Sequence, residues 1–154
     1  MLEIGTGTMA EFEEQTHFSF WAALKSPLII GADITRINKT SLDILLNKEI
    51  ISISQDAAGI AATYLSELSI EGSLQVWAGP LSAGKFVILA LNYGANATNV
   101  TIPWKGIPQL QTSEQAQYRI RDVWAAKDLG IIETSIVLTN VSSHQTKVLV
   151  LSRA

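Results

Sequence analysis

The residues able to do chemistry are scattered through this chain. Gly5-Thr6-Gly7-Thr8-Met9-Ala10 has the G-x-G-x-x-A spacing of a dinucleotide-binding turn, and Asp33 stands where a ribose-binding acid would follow. Such a turn needs bare N–H groups and positive potential for a pyrophosphate. Here Glu11, Glu13 and Glu14 crowd the same helix entrance, so nucleotide binding is not expected. Four aspartates invite attention. Asp33 ends a short strand, where barrel enzymes place catalytic groups, although capping the next turn is the preferred reading. Asp56 reads as a turn residue, and Asp122 and Asp128 flank Trp124 as exposed charge on a strand face and a turn. His17 lies on a helix stripe and His144 in a turn; neither has a partner at metal-ligand spacing. No metal and no cofactor is therefore expected. Trp77, Trp104 and Trp124 could form a sugar-stacking platform, but buried anchors of a sandwich are the preferred reading.

A fifth kind of site is covalent. Asn38-Lys39-Thr40, Asn96-Ala97-Thr98, Asn99-Val100-Thr101 and Asn140-Val141-Ser142 are glycosylation acceptor sequons, and they use four of the six asparagines. Asn38, Asn96, Asn99 and Asn140 are thus the candidate modification sites of a secreted parent protein. No basic-then-apolar leader follows Met1, so no signal peptide is expected in the chain itself. The absence of Cys leaves the redox compartment unmarked. A net charge of −3 gives no footprint for nucleic acid, and no apolar run is long enough for a membrane span.

The elements that must position these residues divide into two kinds. His17, Phe20, Trp21 and Leu24 recur at spacings of three and four, which predicts one face of a helix over residues 9–25, with Thr8 and Glu11 as a capping box. Pro27 ends that helix. Leu28-Ile29-Ile30 then reads as a short parallel strand covered on both sides. A second helix, capped by Thr40 or Ser41, presents Leu42, Leu45 and Leu46, and residues 49–54 are helical or extended. From about residue 60 the period changes. Residues 74–77, 86–92, 99–104, 118–123, 131–138 and 147–151 read as strands between turn clusters, the pattern of an antiparallel sandwich.

The succession MLEIG, HFSFWAALKSPLIIGADI, LLNKEIISISQDAAG, LQVWAGPLSAGKFVILALN and YRIRDVWAAKDLG resembles glycoside hydrolase family 27, the α-galactosidases. The resemblance covers nearly the whole chain. It implies an α/β fragment, the last two units of a (β/α)8 barrel, over residues 1–56, followed by an all-β antiparallel sandwich over residues 57–154. It departs from the family at Ala57, where Pro is usual after Gln55-Asp56, and at Thr6, where Asn is frequent. The family's W-N-D-P-D segment is expected immediately before MLEIG.

The resemblance also implies a retaining hydrolase of terminal α-galactosyl residues. Such an enzyme needs two carboxylates about 5–5.5 Å apart, which the family supplies as Asp residues of earlier barrel strands. No catalytic residue is therefore assigned, and the chain alone is expected to be inactive. Only Met1 matches a substrate-pocket position, an apolar wall beside the sugar; it is equally the initiator. Alternatives are a related α-N-acetylgalactosaminidase or β-arabinopyranosidase, or a non-catalytic sugar-binding or structural β module. With a quarter of a barrel present, Phe12, Phe18, Phe20, Trp21 and residues 28–30 are expected to expose apolar surface, held loosely or buried by self-association. The sandwich is expected to close its own core.

Overall fold

The chain is described by a computed structural model covering residues 1–110 and 117–154. Its first helix, α1 (Glu11–Ala23), starts two residues later than the spacing predicts. Ala10 is the cap residue, and its N–H donates to Glu13 Oε2 at 2.9 Å. Thr8 instead meets the Thr6 hydroxyl at 2.9 Å, so the expected Thr8–Glu11 box does not form. Three first-turn carboxylates still face the positive end of the helix dipole. One of them, Glu14, is buried and accepts from Gly5 N–H at 2.8 Å and from the Ser41 hydroxyl at 2.7 Å. The helix ends in a Schellman motif ahead of Pro27. Lys25 takes the left-handed position at φ 59°, and Ser26 N–H reaches back to Trp21 O at 2.9 Å. The Lys25 ammonium donates to Ile53 O in the last turn of a later helix.

Residues 28–30 do not form a covered strand. A single parallel bridge joins Ile30 to Leu2, made by Leu2 N–H to Ile29 O (2.7 Å) and Gly31 N–H to Leu2 O (2.9 Å). Ile29 and Ile30 stay exposed, because among the described residues their backbone meets no second strand. Helix α2 (Lys39–Leu45) is capped by Asn38, not by Thr40 or Ser41, and α3 (Lys48–Ser54) is capped by Asn47.

The remaining chain is the expected antiparallel sandwich. Its strands are β1 (Thr63–Tyr64), β2 (Leu74–Pro80), β3 (Phe86–Asn92), β4 (Thr98–Pro103), β5 (Tyr118–Asp122), β6 (Lys127–Ile132), β7 (Ser135–Val141) and β8 (Thr146–Arg153). Among the described residues they form a sheet in the order β1-β2-β3-β8-β5-β6 and a two-stranded sheet, β4-β7. The run 131–138, read as one strand, is the end of β6 and the start of β7, with the chain changing sheets at Glu133 and Thr134. The two sheets enclose Val76, Ile88, Ile120 and Leu149 against Val100, Ile102 and Ile136.

The larger sheet is also covered on its other face. Val87, Leu89, Val123 and Val148 pack beneath Phe18, Ala22, Ile44, Ile50 and Ile53 of the three helices. This accounts for the unbroken apolar run of β3, whose alternate side chains enter two different cores. It also corrects the expectation that Phe18 exposes its apolar surface. Phe18 is 1% exposed and Phe20, Trp21 and Leu28 are half-buried; Phe12, Ile29 and Ile30 are the exposed remainder. Polar ties cross the same seam. Ala62 N–H donates to Ala23 O at 2.9 Å, Trp124 Nε1 to Ser19 Oγ at 2.9 Å, and Arg121 forks onto Glu49 at 2.8 and 3.0 Å.

Candidate functional site

The glycine turn is closed to nucleotide. Gly5 and Gly7 do take left-handed backbone, but Glu14 already occupies the Gly5 N–H, where a phosphate oxygen would sit. Asp33 Oδ1 accepts from the backbone N–H (3.0 Å) and hydroxyl (2.7 Å) of Thr35, which hold its carboxyl below its usual range. It caps its turn.

The other carboxylates are also engaged in structure. Asp56 accepts from Ser82 Oγ at 2.6 Å and from the N–H groups of Ser82 (2.8 Å) and Ala58 (3.0 Å), with the Ser82 hydroxyl the main cause of its lowered pKa. Asp122 is not exposed, as expected, but buried. It accepts from Ala125 N–H at 3.1 Å with Lys147 Nζ 3.6 Å away. Asp128 is exposed and lies 3.4 Å from Arg121. Met1 is 74% exposed at the start of the chain.

The three tryptophans make no common platform. Trp104 lies inside the sandwich, whereas Trp77 and Trp124 are half-buried under the helices on the opposite face. All three are anchors. The sequon asparagines, by contrast, share one environment: Asn38, Asn96, Asn99 and Asn140 are all exposed. The two asparagines outside sequons are less exposed. Asn47 caps α3, and the buried Asn92 donates to the carbonyls of Asn96 (2.8 Å) and Val141 (2.9 Å).

The fold brings together two residues that the sequence left apart. His17 on α1 and His144 in the turn between β7 and β8 line one groove of about 640 Å3, with Phe20, Trp21, Leu91 and Tyr93. His17 Nε2 accepts from Glu3 N–H at 3.3 Å, and burial pushes its pKa down. His144 Nδ1 meets Glu13 Oε1 at 2.8 Å, and Thr16 donates to His144 O at 2.7 Å. Glu13 is held below its ordinary pKa, first by the Ala10 N–H and then by His144. Sequence reasoning missed Trp21 and Tyr93 as wall residues. Its single signal was the four-residue spacing from His17 to Trp21 on one helix face.

A helical segment is seated on one face of an antiparallel sandwich, an arrangement that matches the C-terminal part of α-galactosidase structures. Residues 71–151 match the family model described as the alpha galactosidase C-terminal beta sandwich domain, and residues 1–56 match the model described as alpha galactosidase A. The chain belongs to the α-galactosidase family, glycoside hydrolase family 27. It is 37% identical to an α-galactosidase of Lachancea cidri, over 93% of this chain and 33% of that protein. It is 35% identical to α-galactosidase 2 of Arabidopsis thaliana, over 99% of this chain and 37% of that protein. The crystal structure of α-galactosidase I from Mortierella vinacea superposes with a TM-score of 0.89 at 34% identity, over 98% of this chain and 38% of that one. The chain thus spans about a third of the length of the curated relatives it matches.

Proposed function

We propose that these 154 residues form the C-terminal part of a retaining α-galactosidase, with residues 1–56 closing its catalytic barrel and residues 57–154 forming the β domain. Terminal α-D-galactosides are the substrates of the whole enzyme. No residue within the 154 acts as nucleophile or acid, and the chain alone does not turn over substrate. One observation carries this reading: each aspartate that the sequence singled out is held in a structural contact. Asp33 is on Thr35, Asp56 on Ser82, Asp122 on Ala125 and Lys147, and Asp128 on Arg121. A retaining hydrolase needs instead two carboxyls facing one sugar, about 5–5.5 Å apart. The purified chain should release no nitrophenol from a nitrophenyl α-galactoside above a matched blank. Turnover that survives removal of contaminating enzyme would refute the reading.

The parent protein is secreted and carries N-glycans on Asn38, Asn96, Asn99 or Asn140. The exposure of all four supports this. Expression through a secretory host, followed by endoglycosidase treatment, should lower the apparent mass. Among the described residues no helix is long and apolar enough to cross a membrane. We propose that any self-association uses the apolar side chains of residues 1–56 that stay exposed, among them Met1, Phe12, Ile29 and Ile30.

A further inference from the structure

The four sequon asparagines are alike in exposure but not in what their amides do. Asn38 Oδ1 accepts the Ser41 N–H at 2.9 Å, and its Nδ2 donates to Ser41 Oγ at 2.9 Å. Both atoms of the amide face one residue, so the proton in use is the one on the same side as Oδ1. A glycan is carried on Nδ2 as a secondary amide, and secondary amides keep their substituent on that side, as peptide bonds do. The first sugar would stand where the Ser41 hydroxyl is. Ser41 cannot give way. It is 2% exposed, and its hydroxyl donates at 2.7 Å to the buried Glu14, which also holds the Gly5 N–H. A glycan on Asn38 is thus incompatible with the cap of α2 and with the buried network behind it.

The other three amides carry no such obligation. Among the described residues the side chains of Asn96 and Asn140 have no hydrogen-bond partner, and Asn99 uses only Oδ1, which accepts the Asn140 N–H at 2.9 Å. They also lie together. The bulge between Thr98 and Val100 sets Asn99 against Asn140, and Asn92 Nδ2 donates to the carbonyls of both Asn96 and Val141. All three asparagines therefore sit at one end of the β4-β7 sheet, which packs on the face of the larger sheet opposite the helices. A barrel completed around residues 1–56 belongs to the helix side, so this end points away from it. Resting on the N-glycosylation put forward above, we infer that the glycans form one patch at this end of the small sheet, on Asn96, Asn99 or Asn140, and that Asn38 carries none.

Mass spectrometry of the full chain, made in a secretory host and recovered as soluble protein, tests this. Enzymatic release of the glycans in heavy-oxygen water converts each vacated asparagine into a labelled aspartate. The label should appear at Asn96, Asn99 or Asn140 and be absent from Asn38. The sequon hydroxyls give a second test that leaves every asparagine in place. Thr40 is exposed, so Thr40→Ala should alter neither the glycan content nor the melting temperature. Thr98→Ala, Thr101→Ala and Ser142→Ala combined should remove all glycan. Label at Asn38 in protein with a single cooperative melting transition, or glycan that survives the triple variant, would overturn the inference and leave glycosylation itself standing. A chain secreted without glycan at any site would overturn both.

Discussion

The two faces of the six-stranded sheet are closed by different means, and the helix-covered one is the wetter, with Trp77 and Val150 half-buried and Arg119 exposed. Neighbours on β3 show it most simply: Ile88 and Leu89 are both fully buried, one facing the β4-β7 sheet and the other the helices. The inner face is closed by strands from the same antiparallel module. The outer face is closed by a segment of α/β character that reaches it across the seam made by Ala62, Trp124 and Arg121. A sandwich normally shows one face of each sheet to water. Here the larger sheet gives that face to the helices, so the two parts of the chain share one hydrophobic core layer and are not independent.

The strongest way to break this comparison is to remove one side of it. Deleting residues 1–56 uncovers Val87, Leu89, Val123 and Val148. Large apolar side chains contribute about 1.5–3 kcal/mol each when buried, so together these rival the whole net stability of a domain, about 5–15 kcal/mol. The truncated chain should lose its cooperative melting transition and bind a hydrophobic dye, while the full chain does neither. A soluble, sharply melting sandwich without the helices would show that the inner core suffices.

A finer test compares the two faces at one place. Ile88→Ala and Leu89→Ala should each destabilise by about 2–5 kcal/mol in denaturant titrations, since both leave cavities in fully buried sites. If Leu89→Ala costs less than about 1 kcal/mol beside a full-sized Ile88→Ala effect, the helical layer yields into the cavity and is the softer of the two covers.

The smallest effect sits at the joint between the regions, where Asp56 bonds Ser82. Its folded pKa is lowered, so the unfolded state binds the proton more readily. The stabilisation is therefore complete above the unfolded carboxylate value, near 4, and is lost as pH falls through the lower folded value. Melting temperature should fall across that acid window less steeply in Asp56→Asn than in the parent. Parallel profiles for the two proteins would mean that the joint contributes nothing measurable.

Much of this architecture was legible in the residues. Three- and four-residue spacing and Pro27 located α1, and alternation with turn clusters located β2, β3, β4, β5 and β8 to within a few residues. The ordered motifs carried the family. Those signals are local, and a local backbone preference survives into the fold when neighbours do not contest it. Where they do, tertiary structure decided. Ser41 reads as a cap of the second helix, but its hydroxyl is taken by the buried Glu14, and Asn38, not singled out as a cap from the sequence, holds that position. The run 131–138 kept its β character yet was divided between two sheets. The sequence could specify that β3 is apolar on both faces, because that is written in consecutive side chains. It could not specify that the second face belongs to Phe18 and Ile50, or that Trp21, Tyr93 and His144 share a groove. Those meetings depend on distances between residues far apart in the chain, and only packing sets them.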